Sequence, residues 1–135
     1  MNRMRILIVE DEGVLALALE SMVKEFGYAA LDPVASGEEA VTVAKNEQPD
    51  LVLMDIQLAG EMDGITAAGN IHSFSNIPVI YMTGHSDEGM LERAVLTSPY
   101  GYLIKPVSMY DLKVCLEMTL REHARNNKKQ EIRNR

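Results

Sequence analysis

The sequence holds a single cysteine, Cys115, so its 135 residues allow no internal disulfide. We therefore expect a reducing, cytoplasmic setting. No apolar stretch approaches the ~20 residues that a helix needs to cross a bilayer, and the charged N-terminus runs straight into a strand-like segment, leaving no room for a signal peptide. These absences predict a protein that is neither secreted nor membrane-spanning.

Basic residues are outnumbered by acidic ones, 13 against 20, which leaves a net charge of -7. This balance argues against direct binding of nucleic acid by the main body. The sequence also has no glycine-rich phosphate loop, no cluster of cysteine and histidine, and no Ser-His-Asp signature. With 47% hydrophobic residues, it predicts one globular domain with a sizeable core.

Short apolar runs alternate with longer segments of helical period. The strongest runs predict strands buried on both faces, at residues 6–9, 51–54, 79–82 and 102–104. A milder run at 28–31 predicts an edge strand. The segments between the runs predict five helices, of which three have serine N-caps, Ser36, Ser86 and Ser108. This alternation predicts an α/β fold, a doubly wound parallel sheet of five βα units.

Residues with functional side chains stand where the predicted strands end. Glu10 and Asp11 follow the first strand, Asp55 the third, Thr83 the fourth and Lys105 the fifth. Ligands of open parallel sheets bind outside the carboxyl ends of the strands. Three carboxylates placed there repel one another unless a cation such as Mg²⁺, which prefers oxygen ligands, lies between them. The alternative is a set of solvated loop acids that never meet.

Asp55 is the best candidate for a nucleophile, because a carboxylate can attack phosphorus and carry an aspartyl-phosphate. The reaction requires neutralisation of the phosphoryl oxygens more than it requires a strong base. The cation, Lys105, and the Thr83 hydroxyl with the Gly84 backbone N–H could each cover one oxygen. A side chain at position 84 could block the phosphoryl group. Taken singly, Thr83 and Lys105 have ordinary structural explanations.

Several short motifs occur in an order and spacing that is highly specific, although each is weak alone. They are Val9-Glu10-Asp11, Leu53-Met54-Asp55, Met62-Asp63-Gly64, Tyr81-Met82-Thr83-Gly84 and Tyr102-Leu103-Ile104-Lys105-Pro106. From Arg5 to about Leu120 the chain resembles the receiver domain of two-component response regulators. The resemblance implies the flavodoxin-like strand order 2-1-3-4-5. It places the receiver domain at residues 4–120 and a charged helix extension or linker at 121–135, a tail that could also be disordered.

The resemblance implies that Asp55 accepts a phosphoryl group from a phosphohistidine, carried by a sensor histidine kinase or a phosphotransfer protein. Asp11, Asp55 and the Gln57 carbonyl would ligate Mg²⁺ directly, and Glu10 would act largely through bound water. Lys105 would pair with the phosphate. Its peptide bond to the following proline would be cis, as in the family.

The same resemblance implies a switch. Thr83 would move toward the phosphoryl oxygen, and Tyr102 would follow inward from an exposed rotamer. The pair would reshape the face made by the fourth helix, fifth strand and fifth helix, through which a homodimer is one arrangement the family allows. Such a domain is no enzyme beyond assisting its own phosphorylation and dephosphorylation.

The loop after Asp55 departs from the commonest pattern of the family, because the segment 56–64 contains no proline and is longer than usual. Gln57 and His85 flank the expected phosphate and could set how fast water hydrolyses it. This departure leaves the output class open.

Other classes fit the strand-end residues less well. A phosphohydrolase of the haloacid-dehalogenase type needs a second acid two residues after the nucleophile, where this chain has Gln57. A flavin-binding domain would need a Ser/Thr/Gly-rich loop after the first strand, whereas residues 10–12 are all acidic and would repel the flavin phosphate. A receiver-like interaction module that is never phosphorylated is disfavoured by the intact set of acids, hydroxyl and lysine.

Overall fold

A computed structural model describes residues 3–134, apart from the side chains of His85 and Ser86. The strands are β1 (Arg5–Val9), β2 (Ala29–Ala30), β3 (Leu51–Asp55), β4 (Val79–Thr83) and β5 (Gly101–Ile104). The α-helices are α1 (Gly13–Glu25), α2 (Gly37–Glu47), α3 (Gly64–His72), α4 (Leu91–Val95) and α5 (Met109–Arg133). A 3-10 helix at His85–Met90 leads into α4.

The five strands form one parallel sheet in the order β2-β1-β3-β4-β5. The register pairs Val9 with Met54, Asp55 with Met82, and Thr83 with Ile104. This register brings the carboxyl ends of the four longer strands to a common edge. The predicted doubly wound sheet and its strand order are confirmed.

Alternate residues of the strands enter two separate cores, one on each face of the sheet. In β1, Leu7 and Val9 pack on the side of α2 and α3, whereas Ile6 and Ile8 pack on the side of α1 and α5. All four side chains are completely buried. Burial on both faces explains why the strands have unbroken apolar sequences rather than alternating ones.

Side-chain caps fix the start of three helices. The Ser36 hydroxyl accepts a hydrogen bond from the backbone N–H of Glu39 at 3.1 Å, and the Ser108 hydroxyl accepts one at 3.1 Å at the start of α5. The Asp63 carboxylate accepts from the Thr66 N–H at 2.8 Å and caps α3. The predicted caps at Ser36 and Ser108 are therefore confirmed.

The fourth helix starts differently from the prediction, which had Ser86 as its cap. The chain forms a 3-10 helix first, with Gly84 at the N-cap position, and the α-helical part covers only Leu91–Val95. The predicted cap, Ser86, has a side chain outside the described set. Two features explain the difference: the Asp87 carboxylate binds the Gly84 N–H, and Gly89 lowers helix propensity in the next turn. The edge strand is also shorter than the predicted 28–31.

Helix α5 continues without interruption to Arg133 and so includes most of the charged tail. Its apolar face ends earlier, with Leu112, Leu116 and Thr119 buried, and the later turns are exposed. Within residues 3–134, none of the helices combines the length and the apolar character that crossing a bilayer demands.

Candidate functional site

The carboxyl edge of the sheet forms an acidic cavity of about 370 Å³. Residues from the ends of β1, β3, β4 and β5 and the loops after them line it: Glu10, Asp11, Glu12, Asp55, Gln57, Leu58, Ala59, Gly84, Asp87 and Lys105. Every predicted site residue except Thr83 and Tyr102 is in this set. The parallel register brings them together from segments up to 95 positions apart in the sequence.

Three carboxylates form the floor of the cavity. Oxygens of Glu10, Asp11 and Asp55 all lie within 4.8 Å of one another. Glu10 and Asp55 are buried, each 3% exposed, whereas Asp11 is exposed. Buried acids at this separation are costly unless a cation compensates them. The donor set consists of hard oxygens and therefore fits Mg²⁺.

Backbone N–H groups hold each of these carboxylates in place. The amide of Glu12 donates to Glu10 Oε2 at 3.1 Å, and that of Gln57 donates to Asp55 Oδ1 at 3.2 Å. The amide of Ala59, in the loop after β3, donates to Asp11 Oδ2 at 3.0 Å. The long loop after β3 therefore orients two of the three acids without proline.

Lys105 supplies the positive charge of the cavity. Its Nζ lies 2.7 Å from Asp55 Oδ2 and 2.9 Å from Glu10 Oε1. Burial disfavours the ammonium form, but the hydrogen bonds to Asp55 and Glu10 outweigh it, so the pKa of Lys105 lies above its ordinary value. The peptide bond between Lys105 and Pro106 is cis, as the resemblance implied. Lys105 is therefore charged and directed at the proposed nucleophile.

Burial raises the pKa of Asp55 to about 7, the Lys105 hydrogen bond opposes the shift, and the nearby Glu10 adds to it. From about pH 4 to pH 7 the folded protein thus holds a proton that the unfolded chain has lost. This carboxyl group therefore destabilises the fold progressively as pH rises through that window. A bound divalent cation would favour the ionised form and offset the effect.

This pH dependence is testable with Mg²⁺. We expect Mg²⁺ to raise the unfolding temperature more at about pH 8 than at about pH 6, because metal binding must expel the Asp55 proton at the lower pH, with an affinity loss of up to about tenfold. Thermal unfolding at the two pH values, with and without Mg²⁺, measures it. In Asp55→Asn the pH difference should shrink. An equal effect of Mg²⁺ at both pH values in the wild type would contradict the raised pKa.

Gly64 lies directly beneath the proposed nucleophile. A Cβ atom at this position would overlap the carbonyl oxygen of Asp55 and lie 2.9 Å from its carbonyl carbon. The Gly64 N–H also donates to the Ile56 carbonyl at 2.9 Å. The glycine of the Met62-Asp63-Gly64 motif therefore permits α3 to pack against the end of β3.

We expect Gly64→Ala to destabilise the fold by about 3 kcal/mol, because the methyl group meets backbone rather than a flexible side chain. Chemical denaturation measures the free energy of unfolding. Gly69→Ala is the matched control on the same helix, since nothing lies within 4 Å of its Cβ position. It should stabilise the protein by about 0.5–1 kcal/mol. Equal stabilities for the two variants would show that the close approach is not real.

The structure places the predicted switch residues outside the cavity lining. Thr83 is buried at the end of β4 and is 7% exposed. Tyr102 on β5 is 40% exposed, with its ring centroid 6.0 Å from that of Tyr81. Tyr102 is thus exposed in this structure, and its part in a switch stays a prediction. The predicted movement of either residue stays a prediction.

Asp87 directly follows Ser86, the predicted cap of the fourth helix, and was not among the predicted site residues. In the structure Asp87 lines the cavity and is 3% exposed. Its Oδ2 accepts a hydrogen bond at 2.7 Å from the Gly84 N–H, the donor that was predicted to serve the phosphoryl group. An acid three residues after the glycine was the only available signal. A Cβ atom on Gly84 would lie 4.0 Å from this carboxylate, so the resting state leaves room there.

The family model for the response regulator receiver domain matches residues 6–117. The chain belongs to this family. It is 37% identical over 116 residues to the transcriptional regulatory protein PdtaR of Mycobacterium tuberculosis, covering 86% of this chain and 56% of that protein. The chain spans about half the length of the curated relatives it matches.

Solved receiver domains share the fold. The receiver domain of a modulated diguanylate cyclase from Desulfovibrio desulfuricans is 35% identical, with a TM-score of 0.85 over 90% of this chain and 97% of that one. The receiver domain of a sensor histidine kinase from Pseudomonas aeruginosa is 30% identical, with a TM-score of 0.79 over 89% of this chain and 98% of that one. That structure has a magnesium ion coordinated in its active-site cleft. The chain is thus a receiver domain of two-component signalling.

Proposed function

We propose that this receiver domain stores a phosphoryl group on Asp55, taken from the phosphohistidine of a sensor histidine kinase or a phosphotransfer protein. One observation supports the proposal above the others. The Asp55 carboxylate lies among two further acids and is bound at 2.7 Å by a lysine. Such an arrangement gives a nucleophile, a cation site and a positive group for the phosphoryl oxygens in one cavity.

In the proposed reaction an oxygen of Asp55 forms a bond to phosphorus while the bond from phosphorus to the imidazole nitrogen breaks, and the electron pair stays on the ring. Lys105 gives up part of its contact with Asp55 and Glu10 and binds a phosphoryl oxygen. The Gly84 N–H and the Thr83 hydroxyl donate to a second phosphoryl oxygen. The chain therefore acts by positioning and charge compensation rather than by a strong base.

The metal site of the proposal consists of Asp11, Asp55 and the Gln57 carbonyl, with Glu10 acting through water. Mg²⁺ held there would neutralise charge on the transferred group. The support is the hard oxygen donor set and the repulsion among the acids that a cation would relieve. The His85 side chain, predicted to affect hydrolysis with Gln57, lies outside the described set, so its role is a prediction from sequence alone.

The output surface of the proposal is the face of α4, β5 and α5. Exposed apolar side chains are concentrated there, at Tyr102, Ile104, Tyr110 and Met118 on β5 and α5. An apolar surface of this kind fits a protein partner, and a second copy of the chain is the arrangement we propose. We further propose that the domain does not catalyse reactions of other substrates. We also propose that residues 4–120 do not contact nucleic acid directly.

The test is incubation of the full chain with a small acyl phosphate, followed by mass spectrometry of the intact protein. We expect the mass to increase by one phosphoryl group in the presence of Mg²⁺ and not after chelation of the metal. Size-exclusion chromatography of the same samples tests the homodimer separately. A folded wild-type protein that never gains mass would favour the alternative of an interaction module without phosphorylation.

A further inference from the structure

Asp87 is a buried acid whose contacts are incomplete. Its side chain is 3% exposed, and only Oδ2 has a hydrogen-bond donor. Among the described side chains, none donates to Oδ1, although that atom is also buried. A buried carboxylate oxygen without a donor is unfavourable, so its presence at a cavity wall requires an explanation. The bond from the Gly84 N–H to Oδ2 caps the 3-10 helix, but this cap uses only one carboxylate oxygen and does not explain the burial of Oδ1.

The donor that Asp87 does bind is the one that the proposed function assigns to the phosphoryl group. The Gly84 N–H lies 2.7 Å from Asp87 Oδ2, and the Asp87 N–H returns a bond to the Gly84 carbonyl at 3.1 Å. A short bond from an N–H to a charged carboxylate is among the stronger hydrogen bonds in proteins. A phosphoryl oxygen and this carboxylate therefore compete for one N–H.

Charge makes the competition one-sided once Asp55 carries phosphate. Asp87 and Asp55 line the same cavity, together with Glu10 and Asp11. A phosphoryl group adds up to about two negative charges to this set. Lys105 can compensate Asp55 and Glu10, to which it is already bonded, but the described residues place no cation against Asp87. The carboxylate of Asp87 is thus the group that repulsion would expel.

We propose that Asp87 is a positioning residue that occupies the Gly84 N–H in the resting protein and is displaced by a phosphoryl group on Asp55. The inference rests on the proposed function. Because Asp87 belongs to the 3-10 helix at His85–Met90, departure of its carboxylate releases the side-chain bond that caps the start of this helix. Phosphorylation and rearrangement of the segment before α4 then become a single event.

Beryllofluoride with Mg²⁺ tests the proposal, because this anion stands in for a phosphoryl group on a carboxylate. The full chain is compared with Asp87→Ala, which frees the Gly84 N–H, and with Asp87→Asn, which keeps an acceptor but removes the charge. Glu88→Gln is the matched control, since it removes an exposed charge from the adjacent position of the same helix. We expect Asp87→Ala to bind about tenfold tighter than the wild type, Asp87→Asn to be intermediate, and Glu88→Gln to be within about twofold.

A second measurement separates competition from a purely structural cap. The proton chemical shift of the Gly84 amide should differ between resting wild type and Asp87→Ala, and the two should converge once beryllofluoride is bound. If Asp87 were only a structural cap, Asp87→Ala should bind beryllofluoride more weakly than the wild type. The Gly84 amide shifts of the two proteins should then still differ once beryllofluoride is bound. Should Asp87→Ala fail to fold, Asp87→Asn carries both measurements.

Two failures are distinguishable. If the wild type binds beryllofluoride and gains a phosphoryl group, but the Asp87 variants bind with unchanged or lower affinity, only the role of Asp87 is overturned. If the wild type neither binds beryllofluoride nor gains mass from an acyl phosphate, the proposed function fails and this inference fails with it.

Discussion

Asp55→Asn is expected to abolish the Mg²⁺-dependent gain of a phosphoryl group, with a loss of more than about a thousandfold in the rate of phosphorylation. The amide has nearly the shape of the carboxylate but lacks a nucleophilic oxygen anion. It also removes one of three crowded carboxylates, so Mg²⁺ should bind about tenfold more weakly. Intact-protein mass spectrometry measures the first effect and a metal titration the second.

The same variant should not lose stability. Since burial raises the pKa of Asp55 to about 7, its ionised form is unfavourable in the folded protein. Replacing it is expected to leave the free energy of unfolding at about pH 8 unchanged or to increase it by about 1–2 kcal/mol. Asp32→Asn, at an exposed position in the loop after β2, should change neither phosphorylation nor stability. If folded Asp55→Asn were still phosphorylated, the phosphoryl acceptor would be a different residue.

Lys105→Ala should slow phosphorylation by about 100- to 1000-fold, the range found when one preorganised group for a developing anion is lost. The Lys105 ammonium is 2.7 Å from Asp55 and 2.9 Å from Glu10, so its removal leaves two buried acids without their cation. Stability should decrease by about 1–3 kcal/mol, less than for a fully buried pair because Lys105 is partly exposed. The initial rate of mass gain and a denaturant titration measure the two effects.

Two further variants define what the lysine contributes. Lys105→Arg keeps the positive charge but replaces the compact ammonium by a planar guanidinium. Compared with Lys105→Ala, it should restore the free energy of unfolding more fully than the rate of phosphorylation. Lys113→Ala removes an exposed lysine of α5 and should leave the rate of phosphorylation and the free energy of unfolding unchanged. If Lys105→Ala were phosphorylated at the wild-type rate, the charge compensation we assign to this residue would be wrong.

The composition of the cavity could be predicted from the sequence, because it follows from one rule of parallel sheets. Glu10, Asp55 and Lys105 each follow an unbroken apolar run, and a sheet buried on both faces aligns the ends of such runs. The register then places the three side chains within bonding distance of one another. The prediction used two properties of each residue, its charge and its position after a strand.

The segment after β4 could not be predicted in the same way. Its sequence, with a serine followed by two acids, is typical of a helix start, and that pattern does not reveal which backbone N–H an acid will bind. Asp87 binds the amide of Gly84 rather than one ahead of it in the helix. This is a local contact from the third residue of the 3-10 helix back to its N-cap, but the serine at position 86 predicted a cap two residues later. The length of β2 could not be predicted either, because it depends on pairing with β1 alone.

The tail is a case in which local preference agrees with the structure, although the sequence alone left a helix, a linker and a disordered segment open. Residues 121–133 contain neither glycine nor proline and are rich in strong helix formers. Their lack of an apolar face says nothing against a helix that begins on a packed segment and continues outward. The boundary that we predicted near Leu120 marks the end of the buried face, whereas the helix itself continues to Arg133.

The continuity of α5 has a mechanical consequence. Its 25 residues form a rod about 37 Å long, which begins four residues after Lys105. A tilt of about 5° at that start would carry the far end sideways by about 3 Å, roughly the width of an atom. The helix thus acts as a lever arm, able to convert a small adjustment beside the acids into a displacement large enough for another molecule to sense.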